Sequence, residues 1–257
     1  TGVQQWKGAR PMLPDGPPVI GQSGVPGVWL NLGHGSSGWA LSCGSARVLG
    51  DLIAGQDPGV DIKRIPVCLS SHAAVDAVAH LVATHGLDVS AIESIDCDVP
   101  PIVRKNLVYD RPQTVQQSQF SMPYAMAVSL VCGTLKLEHL DAKWLAHGRI
   151  AALMARVRMH TGERWTDPAL RKAAPEGAHV RVTVADGRSF ELFRATARGS
   201  IAWPLTTEEL ADKFLDCAAP VIGRDSAQSL LDRLNKLDDA VPAAALFDGH
   251  IQYPVAT

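Results

Sequence analysis

The chain has 257 residues, of which 46% are hydrophobic and 19% charged, and its formal net charge is -2. That composition describes a chain long enough for a sizeable core, and it excludes a disordered protein or one built on a basic nucleic-acid stripe. No apolar run is long enough to span a bilayer, and the five widely scattered cysteines fit reduced thiols in a cytoplasm better than a disulfide framework or a zinc site.

The opening TGVQQWKGARPM has no initiator Met and lacks the charged-then-apolar order of a signal peptide, so it reads as the start of a fragment. Residues 1 to about 60 are rich in Gly and Pro, with PMLPDGPPVIG as turns around short strands. VWLNL then suits a buried strand, GHGSSGW a glycine-rich turn, and Leu41, Val48, Leu49, Leu52 and Ile53 a helix closed by Gly55. A turn feeding a helix N-terminus leaves backbone N–H groups free for an anion or a carbonyl oxygen, although a plain structural turn has the same spacing.

The texture changes near residue 66. Ser71 is placed to cap a helix running through Ala73, Val75, Ala77, Val78, Leu81 and Val82 to Gly86, and Ile95, Cys97 and Val99 alternate as a half-exposed strand. Phe120 to Val131 is a strongly apolar helix with Pro123 tolerable only in its first turn, followed by a shorter one over Asp141 to His147. Asp186-Gly187 between two alternating runs is the strongest hairpin signal. Thr206 and Glu209 form a capping box for a helix to about Ala219, and a last helix covers Ser226 to about Leu237 before an Ala/Pro-rich tail. There is no internal repeat. The basic run Arg156-Val157-Arg158 lacks interleaved aromatics and reads as a solvated face.

The first sixty residues, through WKGARPMLPDGPPVIG, NLGHGSSGW and GSARVLGDLIAG, resemble the C-terminal end of the FAD-dependent D-amino acid dehydrogenase and oxidase family. The resemblance implies that Gly33, His34, Gly35 and Gly38 sit against a flavin ring and that Arg10 holds a substrate carboxylate. No G-x-G-x-x-G dinucleotide fingerprint accompanies them, so FAD binding by this chain alone is not expected.

From about Ile62 to Asp239 the chain resembles the MmgE/PrpD family, which includes 2-methylcitrate dehydratase and cis-aconitate decarboxylase. The matching stretches are KRIPVCLSSHAAVDA, IESIDCDVP, QFSMPYAMA, VADGRSFEL and WPLTTEELADKF. The resemblance implies an α/β (α+β) lid-type domain with helices packed on a small mixed sheet, and a metal-free, cofactor-free elimination of water or carbon dioxide from a small tricarboxylate. The large helical domain that precedes this part in the family has no match in these residues, so a partner supplying it, or a homodimer, is expected. The expected organisation is a flavin-oxidoreductase remnant over 1–61, the MmgE/PrpD C-terminal domain over 62–240 and a tail over 241–257.

Within that resemblance Lys63 is the carboxylate clamp, with a solvated lysine beside Arg64 as the alternative and Ile65 standing where an aromatic is usual. His72, one turn before Asp76, is a candidate for proton transfer or an exposed cap-region histidine. Tyr124 can present its hydroxyl to a substrate oxygen or serve as a core tyrosine, and Ser121 can add a hydroxyl or cap the helix. Cys68 is read as a packing cysteine, and His80 and His85 as surface residues.

Overall fold

The computed structural model describes residues 19–22, 27–32, 38–54 and 65–235. They divide between two bodies, one drawn from residues 1–60 and 218–257 and the other from 61–217. In the first, β1 (Val19–Gln22) pairs antiparallel with β2 (Trp29–Leu32), and α1 (Gly38–Ile53) follows, so the expected strand and helix are present, but the strand is not the buried one expected, since Asn31 and Leu32 are exposed. The GHGSSG turn itself, apart from Gly38 at the start of α1, lies outside the described residues, as do Arg10, Lys63 and Arg64.

The second body begins with α2 (His72–His85), whose residues His72 to Val78 are all buried. Its first two turns are covered all round because α2 packs between the sheet and a second apolar helix, while its last turn emerges at the surface. It ends as predicted at Gly86, whose φ of 57° is the left-handed conformation a side chain would strain. Its start differs from expectation. Ser71 makes no capping bond, because Leu69–Ser71 form a turn of 3-10 helix and the Ser71 hydroxyl donates back to the carbonyl of Cys68 at 2.9 Å.

Next come β3 (Ile92–Asp98), α3 (Pro101–Asn106), α4 (Val115–Ser118), α5 (Met122–Cys132), α6 (Ala142–Leu145), α7 (Gly148–Met154) and β4 (Val157–His160). The Arg156–Arg158 run is therefore the entry to a strand. Val157 is buried opposite Ile95, and Arg156 donates to the carbonyls of Ser90 and Ile92, so only Arg158 fits the solvated reading. After α8 (Pro168–Ala173), β5 (Ala178–Val184) and β6 (Ser189–Arg194) make the hairpin signalled by Asp186-Gly187, with φ of 85° at Gly187. α9 (Thr207–Ile222) carries the predicted reciprocal box: Glu209 N–H donates to the Thr206 hydroxyl at 3.2 Å and Thr206 N–H to the Glu209 carboxylate at 2.8 Å. α10 (Arg224–Leu234) is the last described helix and belongs to the first body.

The sheet has the order β4-β3-β5-β6 and is mixed, with β3 parallel to β4 and antiparallel to β5. This is the expected α/β class of helices on a small mixed sheet. Alternation then separates its faces. Ile95, Cys97, Val180 and Val182 enter the core with α2 and α5, while Asp96, Arg181 and Glu191 face away, where Arg181 and Glu191 pair at 2.9 Å. Among the described residues no helix is long and apolar enough to cross a membrane.

Candidate active site

The segment leading into α2 is anchored by burial of Ile65 and Val67, and by a bond from Cys68 N–H to the carbonyl of Gln119 at 2.9 Å. Cys68 lies four residues before the first residue of α2 and Gln119 two before the N-cap of α5. One hydrogen bond therefore holds the starts of two packed helices at the same end. His72 opens α2 there and Ser121 caps α5, whereas the Tyr124 side chain, rooted in the first turn of α5, carries its hydroxyl to the carbonyl of His139.

His72 is 1% exposed. Its Nε2 lies 3.2 Å from the carbonyl oxygen of Val67; since a carbonyl only accepts, Nε2 carries the proton in this arrangement. An exposed histidine at the cap is thus ruled out. The expected partner, Asp76, accepts a hydrogen bond of 2.7 Å from the backbone N–H of Arg198.

Ser121 is the N-cap of α5, accepting from Tyr124 N–H at 3.2 Å, and is 1% exposed. Pro123 sits in the first turn of α5, where its missing N–H costs nothing. Tyr124 is fully buried and its hydroxyl donates to the backbone carbonyl of His139. Burial pushes its phenol up to about 12, reinforced by Cys132 and Asp141, so the group stays protonated through neutral pH. The carbonyl that receives it belongs to the 3-10 turn Leu137–His139, which is held by His139 Nδ1 accepting from Lys136 N–H at 2.9 Å. The His139 imidazole is held below its usual range, chiefly by burial, against the opposing pull of Glu138 and Asp216.

Cys68 is half-buried and Cys97 fully so, and burial pushes the Cys97 thiol far up, which suits packing rather than nucleophilic attack. His80 and His85 are exposed as expected, with His85 stacked 4.3 Å from the ring of Phe190.

Sequence reasoning did not find the polar residues beside this end. The Ser70 hydroxyl donates to Glu176 at 2.6 Å and accepts from Asn106 at 2.9 Å, tying the turn before His72 to the end of α3 and to the loop that precedes β5. Arg198 pairs with Glu209, lies 5.3 Å from the ring of Trp203 and reaches Asp76 through its N–H. Leu69, Glu176 and Arg198 line a cavity of about 100 Å³. No spacing signal links residues 70, 106, 176 and 198; only the tertiary fold does. Among the described residues no His/Cys/Asp/Glu group is arranged to hold a metal ion.

Comparison with known proteins divides the chain at the same region as its motifs. A family model described as FAD dependent oxidoreductase matches residues 1–52. Over this part the chain is 51% identical across 67 residues to a D-amino acid dehydrogenase of Bradyrhizobium diazoefficiens, covering 26% of this chain and 16% of that protein. It is 59% identical across 62 residues to one of Agrobacterium fabrum, covering 24% and 15%. It is also 57% identical across 56 residues to one of Cereibacter sphaeroides, covering 22% and 13%. The chain thus spans about a sixth or less of the length of these relatives. Residues 65–239, by contrast, match a single family model across most of the chain, and by that match the protein belongs to the MmgE/PrpD C-terminal domain family.

Proposed function

We propose that the chain works as the C-terminal part of an MmgE/PrpD-type lyase that dehydrates or decarboxylates a small tricarboxylate such as 2-methylcitrate. The family membership of residues 65–239 carries this reading. The position of His72 at the start of α2 and of Ser121 at the start of α5, with the segments before them joined by the Cys68–Gln119 bond, supports it. Helix N-termini favour carboxylates, and a ring held at Nε2 by the Val67 carbonyl suits proton handling. In this reading Lys63 and Ser121 bind substrate carboxylates and His72 and Tyr124 move or orient protons. His72 and Tyr124 are buried in the chain as it stands, so substrate access requires a rearrangement of the segment before α2 or a partner body that reshapes this end. A helical partner domain or a second copy fits that need. The four described cysteines are unpaired, which agrees with a cytoplasmic setting.

The reading is tested by following 2-methylcitrate or cis-aconitate with the purified full chain, with and without a chelator. Turnover that survives the chelator and is lost in His72→Gln supports it. Absence of turnover both alone and with a supplied MmgE/PrpD helical domain sinks it.

The identity of residues 1–52 to D-amino acid dehydrogenases favours a second reading, an FAD-dependent oxidoreductase using Arg10 on the substrate and Gly33, His34, Gly35 and Gly38 at the flavin. FAD would supply hydride acceptance. The described residues within 1–52 do not fit it by themselves: they offer an antiparallel β1–β2 pair and one helix, with no βαβ unit among them to seat a dinucleotide. Yellow protein that reduces a dye with a D-amino acid would establish that reading, and colourless, inactive protein would mark a fused product without catalysis.

A further inference from the structure

At the end of the α2–α5 pair opposite His72 and Ser121 lies a second cavity, of about 160 Å³. One face of α7 and its exit forms one wall, with Arg149, Ala152, Leu153 and Arg156 at positions i, i+3, i+4 and i+7. The other wall is Val131 near the end of α5 and Val89 and Ser90 in the turn that follows α2. The site therefore has an apolar floor with a guanidinium at each end.

The two cations are unequally used. Arg156 donates from Nη1 to the carbonyls of Ser90 and Ile92, which fixes its plane and leaves Nε and Nη2 without a hydrogen bond among the described residues. Arg149 makes no hydrogen bond or ion pair among the described residues. Asp88, the neighbouring carboxylate, is engaged by the N–H of Ser90 at 2.8 Å and its hydroxyl at 2.6 Å. Two positive charges thus face one negative charge that is already satisfied. A buried water needs about 10–15 Å³, so the cavity has roughly a dozen water-sized positions, enough for a short aliphatic chain but not for a nucleotide.

From this we infer that the cavity between α7 and the α2–α5 end is a binding site for a small aliphatic dicarboxylate, its carboxylates on Arg149 and Arg156 and its methylenes over Ala152 and Leu153. Guanidinium groups match carboxylates in charge and shape, and apolar lining selects against fully hydrated inorganic anions. The site lies at the other end of α2 from His72 and is independent of the lyase reading.

The test is an amide chemical-shift titration of the full chain with adipate, the matching diol and inorganic phosphate. Saturable shifts with adipate at Val89, Ser90, Ala152 and Leu153, and none with the diol, are expected. Arg149→Gln, at an exposed position, should raise the dissociation constant about tenfold with an unchanged thermal midpoint, the loss of roughly one charge-assisted hydrogen bond. Ala152→Phe should block the floor and abolish the shifts. Equal binding of phosphate, equal binding by Arg149→Gln, or no saturation overturns the proposal.

Discussion

The Tyr124 hydroxyl is donated to the main-chain carbonyl of His139, fifteen residues further along, and this bond joins the first turns of α5 to the 3-10 turn at Leu137–His139. It gives the tyrosine two separable properties. Its ring fills the core, and its proton closes a carbonyl that would otherwise be buried without a donor.

Tyr124→Phe keeps the ring and removes the proton, so the variant should lose about 1–2 kcal/mol in urea unfolding. The folded phenol titrates near 12 against 10.0 for a free one, so folding holds the proton more tightly. Stability is then fully present below pH 10 and falls as pH rises from 10 toward 12. The wild-type chain should show that alkaline loss and Tyr124→Phe a smaller one. Equal slopes in both would mean that Tyr124 does not govern it.

On the acid side the signs reverse. His139 and His179 are both held below 6.5, in each case chiefly by burial, so the unfolded chain takes up protons first as pH falls. Stability should be constant above about 6.5 and decline below it. His179→Gln removes one of the two groups and should flatten the decline measured by urea midpoints. A midpoint that rises on acidification would contradict the burial argument.

Ser121→Ala removes the acceptor for Tyr124 N–H and should cost about 1 kcal/mol, the usual worth of an N-cap. If Ser121 also contacts substrate, KM rises in this variant while Ser121→Thr, which keeps a hydroxyl, restores both. A KM identical to wild type in Ser121→Ala would confine the residue to capping.

Local chemistry explains which features were legible from sequence. The Asp186-Gly187 hairpin, the Gly86 stop and the Thr206–Glu209 box each lie within a few residues, where turn conformation and capping are decided by the chain itself. β4 was missed because only Val157 in its four residues is buried; its pairing with Ile95 depends on a crossover of more than fifty residues. Ser71 was expected to cap α2, but a serine hydroxyl has a competing acceptor in the carbonyl three residues back, and that bond formed. At the candidate site, residue type identified His72, Ser121 and Tyr124. That the segments before His72 and Ser121 are joined depends on the Cys68–Gln119 bond, which no spacing encodes.

Two glycines give opposite expectations for the same substitution. A Cβ on Gly177 would lie 2.8 Å from the Ala174 Cβ and 2.9 Å from the carbonyl oxygen of Arg194, and a backbone oxygen at the end of β6 cannot step aside as a flexible side chain would. Gly177→Ala should therefore cost about 1–3 kcal/mol through overpacking. Gly148, at the start of α7, has no positive φ, and a Cβ there would meet nothing within 4 Å, so alanine restricts only the unfolded chain. Gly148→Ala should gain about 0.4–1 kcal/mol. Urea denaturation of both variants with unchanged slope is the comparison, and a Gly177→Ala protein as stable as wild type would show that the close approach between residues 174–177 and the exit of β6 is not fixed.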